Sequence, residues 1–317
     1  MKSLALGVDD VKYHLPVAVG DFSDFSCSKD HVLNAGEAAT GVRQFPPGFL
    51  HFPVGYTGRS ASILEPGSSV HRPLGQYRSP DGVCFGHSKA VDFELEVACV
   101  IGKPSKIGEP IHISQTDEHI FGFLLLNDWS ARDIQGLEMN PLGPFNGKSF
   151  GTSISPWIIT ADALESYRVP GPARDMPVAP YLDHAGRDDH YAVQLNVDLE
   201  TQQKTMTVCQ SRLESLYWSF SEMIAHQTIN GCPLNAGDLL ATGTVSGSTR
   251  QSHGCLMEIT KGGKEDLTLE NGEQRTYLLD NDAITLTAAT ADGKIGFGRC
   301  HGKLLPGKSF DKLANGY

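Results

Sequence analysis

What this chain lacks narrows its class first. No stretch approaches the roughly 20 consecutive apolar residues that a membrane-spanning helix needs. The opening MKSLALGVDD has a five-residue apolar run before two aspartates, too short for a signal-peptide core. Basic charge is scarce: 26 Lys and Arg against 37 Asp and Glu leave a formal net charge of −11, which argues against nucleic acid or an anionic membrane as partner. The cysteines (Cys27, Cys84, Cys99, Cys209, Cys232, Cys255 and Cys300) are odd in number, scattered and without a CxxC pair. Neither a disulfide framework nor a zinc site is expected, and the expected setting is the reducing cytoplasm. Neither GxxxxGK[ST] nor GxGxxG occurs, so the Gly/Thr/Ser loop in GDLLATGTVSG (Gly237–Gly247) is no phosphate cradle.

What is present is an acidic, β-rich chain with one unusual stretch. Hydrophobic residues make up 40% of 317, enough for a substantial core in two domains or one large one. Phe121–Thr152 (FGFLLLNDWSARDIQGLEMNPLGPFNGKSFGT) opens as an apolar strand from Ile120 to Leu126 and ends on Asn127-Asp128. A carboxylate at the end of a buried strand is costly to desolvate unless a cation meets it. Arg132, Gln135 and Lys148 follow within the same Gly/Pro-rich segment. The cluster reads either as a structural salt-bridge knot or as a functional site.

Elsewhere the periodicity is plainer. In DFSDFSCSKDHVLNAGEAATG, Asp24 and His31 lie seven apart, and would share a face if that segment were helical. PPGFLHFPVGYTGRS, with Gly55-Tyr56 at its middle, is punctuated too often for regular structure. In VDFELEVACV (Val91–Val100), Glu94 and Glu96 point to one face of a strand, facing either solvent or a metal. Tyr167–His190 reads as a surface excursion. Val193–Leu199 alternates as a half-buried strand. Leu213, Leu216, Tyr217, Phe220, Met223 and Ile224 predict the core face of a helix that stops near Asn230-Gly231. Asn271-Gly272 and Asp292-Gly293 are hairpin signals around strands such as Ala283–Ala289. The expected fold is mainly β with some helices (α+β), a β-rich roll or barrel. Residues 1–20 form a short lead-in and residues 21–317 one catalytic domain.

Four acids recur in suspicious contexts: Asp24, Glu94, Glu96 and Asp128. Brought together they would repel unless a hard divalent cation lay between them, and oxygen-only ligands select Mg²⁺, Ca²⁺ or Mn²⁺.

NDWSARDIQ, PLGPF and GKSFGT, with LPVAVGDFSDF before them and KLLP after, resemble the fumarylacetoacetase family over nearly the whole chain. The resemblance implies a mixed β-sandwich roll and a metal-dependent hydrolase that cleaves a carbon–carbon bond in a β-diketone. The reference substrate is 4-fumarylacetoacetate, of tyrosine and phenylalanine catabolism. It assigns the metal to Asp24, Glu94, Glu96 and Asp128, and less directly a second cation to the neighbourhood of Lys148 and Thr152. His31 becomes the base for the attacking water with Glu258 as its partner. Arg132, Gln135 and Lys148 stabilise the developing charge, and Tyr56 and Thr244 line the substrate pocket. A homodimer is implied as well. The family usually carries a separate small β-domain before the catalytic one, and the expectation is either a form that lacks it or a truncated sequence.

Three positions depart from the family pattern: Ser26 and Met139 stand where it has tyrosines, and Thr40 where it has an arginine that holds a substrate carboxylate. A hydroxyl does not replace a guanidinium fork. The machinery is kept while the grip on substrate is changed, which suggests a less acidic, more apolar or bulkier substrate and a diverged paralogue. A metal-dependent decarboxylase or keto–enol tautomerase on a specialised substrate is the alternative; it predicts loss of His31 or Glu258. A non-catalytic binding paralogue predicts loss of metal or base residues. Neither loss is seen.

Overall fold

The computed structural model describes residues 6, 7 and 10–310, so part of the expected lead-in lies outside the described residues. The strands that matter for the site are, in chain order, β1 (Phe22–Ser26), β2 (Val54–Thr57), β3 (Ile63–Leu64), β4 (Val70–His71), β5 (Leu95–Ile101), β6 (Ile120–Asp128), β7 (Thr152–Ile154) and β8 (Ile159–Thr160). They continue with β9 (Val193–Glu200), β10 (Thr205–Arg212), β11 (Leu239–Ala241), β12 (Ala283–Thr290) and β13 (Gly296–Leu305). One sheet runs β2-β1-β11-β5-β6-β7-β3 with β8 also on β6; the other runs β10-β9-β12-β13-β4. The mainly β, α+β architecture expected from the sequence is the one adopted.

β5 and β6 are buried on both faces, and their alternation sends each face to a different core. Val97, Cys99, Ile101, Phe123 and Leu125 join Leu195, Val197, Ile284 and Leu286 of the second sheet in the main core. Ala98, Val100, Leu124 and Leu126 point the other way, into a smaller cluster with Phe22 and Leu239. Leu15, Val17 and Val19 of the lead-in pack against this second face. Glu96 and Asp128 share its side parity, as does Asp24 beside Phe22. Three acids thereby come to one face of one sheet, on strands that are not all neighbours.

Four helices serve the site: α1 (Lys29–Thr40), α2 (Arg132–Glu138), α3 (Phe220–Thr228) and α4 (Leu256–Ile259). α1 starts at Ser28, whose side chain accepts from the His31 backbone N–H at 3.2 Å, and ends at Gly41 with φ 77°.

Three local expectations are corrected, and one alternative left open, that of Glu94 and Glu96, is narrowed. Asp24 sits on β1, before α1, so no helical face joins it to His31. The Pro/Gly-rich stretch contains β2, which pairs antiparallel with β1 through Asp24 and Tyr56, because the sheet supplies hydrogen bonds that local sequence does not advertise. Glu94 and Glu96 do not face solvent; they are 5% and 0% exposed. The helix read from Leu213 onward begins only at Phe220. Leu213–Ser215 form a single 3-10 turn, and Tyr217 and Trp218 lie in a bend and donate their backbone N–H groups to Cys27 O at 2.8 and 3.3 Å. A capping box of Ser219 and Glu222 then starts α3. The stripe itself is core, as expected: Leu213, Leu216, Tyr217, Phe220, Met223 and Ile224 are buried. The hairpins at Asn271-Gly272 and Asp292-Gly293 form. All seven cysteines are free thiols, and among the described residues no helix is long and apolar enough to cross a membrane.

Candidate active site

A cavity of about 680 Å³ opens where β1, α1, α2 and the loop after β11 meet. Asp24, Glu94, Arg132 and Lys148 form its charged interior. His31, Gln135, Tyr56 and Thr244 line its sides, and Ser26, Thr40 and Met139 stand with them around it. Glu96, Asp128, Thr152 and Glu258 are buried behind the lining.

Local sequence explains how these side chains arrive. β6 ends on Asp128, the buried Trp129 follows, and α2 starts at once with Arg132. Glu138 accepts the backbone N–H groups of Phe145, Asn146 and Gly147 at 2.7, 3.0 and 2.8 Å, which folds PLGPF back onto α2. Gly147 is needed there, because a Cβ would lie 2.7 Å from the Gln135 backbone nitrogen. Lys148 is thereby turned inward to Asp128 at 2.8 Å and to Glu94. On the other side Gly243 (φ 69°) passes so close to β1 that a Cβ would sit 2.0 Å from Phe25 O, and this sets the loop that carries Thr244.

The ion pairs form one network. Arg132 donates from Nε to Asp92 at 2.9 Å and from Nη1 to Glu94 at 2.8 Å. Arg59 donates to Asp128 at 2.8 Å and to Asp24 at 2.9 Å, and the Tyr56 hydroxyl donates to Asp24 at 2.5 Å. Five buried carboxylates (Asp24, Asp92, Glu94, Glu96, Asp128) meet three buried cations (Arg59, Arg132, Lys148). With every carboxylate counted as ionised, two negative charges are left over. They are not spread evenly. Asp24 Oδ1 and both Glu96 carboxylate oxygens accept no hydrogen bond, and oxygens of Asp24, Glu96 and Asp128 lie within 4.8 Å of one another. Thr152 Oγ1 is at the margin, 3.4 Å from Asp128. Glu94 spends its charge on Lys148 and Arg132 and is not among the converging three.

The electrostatics follow. Burial, then the charge of Asp128, pushes the Asp24 carboxyl up to about 7. Burial and the neighbouring Asp24, Glu94 and Asp128 push Glu96 well above the carboxylate range. Burial opposes the charge on Glu94 too, but Lys148 and Arg132 outweigh it and hold Glu94 below that range. Two acids raised by burial and by the charge of neighbouring carboxylates are what a cation would relieve.

The second constellation is separate. His31 Nδ1 lies 2.8 Å from Glu258 Oε2, the other Glu258 oxygen accepts from Asn34 at 3.0 Å, and Ser246 Oγ donates to Oε2 at 2.6 Å. Despite full burial, His31 and these hydrogen bonds bring Glu258 down to about 2. An ionised carboxylate only accepts, so Nδ1 carries the proton and Nε2 is the free nitrogen. Cys255 also approaches Glu258, at 3.3 Å, but the carboxylate is already engaged and no metal is called for.

Sequence reasoning missed Arg59, Asp92, Asn34 and Ser246. Asn34 is one helical turn from His31, and Asp92 is two before Glu94 on the same strand parity, so both carried a signal. Asp92 also accepts the backbone N–H groups of Leu256 and Met257 at 2.8 and 2.9 Å, tying Arg132 to the helix of Glu258. Arg59 and Ser246 lie in loops where nothing local distinguishes them.

Residues 22–304 match the family described as fumarylacetoacetate (FAA) hydrolase, C-terminal. Over 306 residues the chain is 44% identical to a fumarylacetoacetase of Bos taurus, covering 94% of this chain and 72% of that one. It is 43% identical to a fumarylacetoacetase of Arabidopsis thaliana over 93% of this chain and 72% of that one. Its fold is similar to a fumarylacetoacetate hydrolase of Exiguobacterium antarcticum (TM-score 0.52, 20% identity, 93% of this chain and 76% of that one). It is similar also to a 5-carboxymethyl-2-hydroxymuconate delta-isomerase of Mycobacterium smegmatis (TM-score 0.56, 18% identity, 96% and 86%).

Proposed function

The chain belongs to the fumarylacetoacetate hydrolase family, and on that footing we propose that it hydrolyses a carbon–carbon bond beside a ketone in a β-diketone, using a divalent cation and a histidine base. The observation that carries this reading is the meeting, at one cavity, of the His31–Glu258 pair with a buried acid cluster that holds two more carboxylates than cations.

The donors fit a hard cation. Asp24, Glu96 and Asp128 offer carboxylate oxygens only, and three of those oxygens accept nothing from the protein. Mg²⁺, Ca²⁺ and Mn²⁺ suit such a set, with Glu94 and Thr152 at its edge. When bound, such an ion supplies Lewis acidity for the diketone oxygens.

The chain's own residues do the rest. His31 Nε2 takes a proton from water, and Glu258 holds the imidazole in the productive tautomer and stabilises its charge. Water oxygen bonds to the carbonyl carbon, the carbon–carbon bond breaks, and its electron pair becomes the enolate of the departing ketone. That enolate regains the proton from His31, so one water yields a carboxylic acid and a ketone. Arg132 Nη2 is buried without a partner, as is the Thr244 hydroxyl, and the Gln135 carbonyl oxygen accepts from Arg132 at 3.3 Å, leaving its amide nitrogen free. These donors suit the developing oxyanion, each worth roughly 3 kcal/mol. Lys148 holds Glu94 and Asp128 in place.

The substrate's far end differs from fumarylacetoacetate. Thr40 turns its hydroxyl back to Gly36 O at 2.7 Å, and the nearby Arg43 is spent on Asn34 and Glu37. The cavity's cationic lining, Arg132 and Lys148, is in the interior and paired with acids. A distal carboxylate finds no partner at the mouth, so a diverged substrate with an uncharged tail is preferred. The working unit is the domain 21–317, in a cytoplasmic setting and as a homodimer. A decarboxylase or tautomerase is disfavoured because the hydrolytic base pair is intact.

The test follows ultraviolet diketone absorbance with metal-loaded protein, on fumarylacetoacetate and on an analogue without the distal carboxylate, with His31→Ala as control. Decay with either substrate that the control abolishes supports hydrolysis. Persistent absorbance with both sinks it.

A further inference from the structure

Arg59 has no part in the chemistry above, yet among the described residues no other cation is hydrogen-bonded to both Asp24 and Asp128. It stands at φ 74°, in the left-handed region that non-glycine residues rarely adopt, before the turn Ser60–Ser62. The Ser62 backbone N–H and hydroxyl both donate to Arg59 O, at 3.0 and 2.9 Å, and pin that conformation. Backbone strain kept by surrounding structure invites a search for what it achieves. Here it aims a guanidinium, whose side chain is 6% exposed, over the rings of Phe22 and Tyr56 at 4.9 and 5.0 Å.

The fork reaches two strands that are not neighbours. Asp24 is the middle residue of β1 and Asp128 ends β6, with β11 and β5 between the two strands. Nη2 takes Asp24 Oδ2 and Nη1 takes Asp128 Oδ1. Asp24 Oδ1 is left over and lies in the group of acids that includes Glu96, whose two oxygens Arg59 does not touch. A counterion merely filling a cation's place would engage Glu96, the acid with no partner. Arg59 does not, and with Arg59 counted the cluster still holds two more carboxylates than cations.

We propose that Arg59 is a positioning residue: its fork clamps Asp24 and Asp128 from one side so that their remaining oxygens, with Glu96, converge on one divalent cation. The inference rests on the metal reading given above. It also explains an arginine here, since a planar fork joins two carboxylates and an ammonium on a flexible stem does not hold the same spacing.

The experiment titrates the metal-free full chain with Ca²⁺ and with Mg²⁺ by calorimetry, for the unaltered protein, Arg59→Lys and Arg59→Gln. Melting in chelator is measured alongside, with and without Ca²⁺. Arg59→Lys keeps the charge and loses the fork, so it isolates position from electrostatics. The expected result is one site throughout, with affinity down about tenfold or more in Arg59→Lys and at least as far in Arg59→Gln. The melting increment added by Ca²⁺ shrinks in the same order. Unchanged affinity in Arg59→Lys, or tighter binding in Arg59→Gln, overturns the clamp and makes Arg59 a counterion. If Arg59→Gln does not fold, Arg59→Lys decides alone. Absence of ion binding by the unaltered protein overturns the metal reading and this inference together.

Discussion

The interior of the cavity and its mouth are built on opposite plans. Inside, side chains come from β1, β5, β6, the start of α2 and the loops of Arg59 and Lys148, and are tied by ion pairs: Lys148 to two acids, Arg59 to two, Arg132 to two. At the mouth, Thr40 and Met139 come from the ends of short helices, and Met139 is 45% exposed. Their neighbours, Ala35, Ala39, Pro46 and Pro144, bear no charge. In the interior, changing one residue strands a buried charge on another. At the mouth, a change strands nothing. Of the three positions singled out in the sequence, Thr40 and Met139 stand at this mouth, whereas Ser26 lies on β1 with the side parity of Asp24.

The sharpest way to separate the two regions is to remove the proposed base. His31→Ala is expected to lower kcat on the order of 10²–10⁴-fold in steady-state assays of the folded protein, and to lower the melting temperature as well, because it strands the buried Glu258 carboxylate. A loss below tenfold would take the interior out of the chemistry. Lys148→Met probes the network itself: Glu94 and Asp128 lose a shared cation, at a cost of about 3–5 kcal/mol in urea unfolding. A cost under 1 kcal/mol would mean that water shields these acids and that the contrast with the mouth is false.

Acid unfolding reads the second constellation. Glu258 is brought down to about 2 from 4.5, so as pH falls the unfolded chain takes up the proton first. Its contribution is fully present above pH 4.5 and is lost as pH drops through about 2, a span worth about 3 kcal/mol. Glu258→Gln is expected to flatten the stability profile across that window, and an unchanged slope would break the assignment. The mouth gives the smallest effect. Thr40→Arg should raise kcat/KM for a substrate with a distal carboxylate about tenfold over its uncharged analogue, with little change in stability. Equal gains on both substrates would show that the mouth does not read charge.

Much of this was legible in the residues. Alternation over Val193–Leu199 and turn pairs at Asn271-Gly272 and Asp292-Gly293 are local signals, and the structure follows them. The family motifs brought His31, Glu258 and the four acids into view, and the structure brings the His31–Glu258 pair to 2.8 Å. Where the reading failed, the competing force was long-range. β2 hid in a Pro/Gly-rich stretch because its hydrogen bonds come from β1, and the start of α3 moved because Cys27 O captures Tyr217 and Trp218.

By itself, then, the sequence determined the β-rich class, the two periodicities, the family and the chemical types gathered at the site, since each is written within a few residues or a motif. Only the tertiary structure decided which acid meets which cation. That depends on sheet order and register, which set Asp24, Glu96 and Asp128 on one face, hand Glu94 to Lys148 and Arg132, and bring Arg59 across two intervening strands. Charge pairing acts through space over a few ångströms, and separation along the chain carries no record of it.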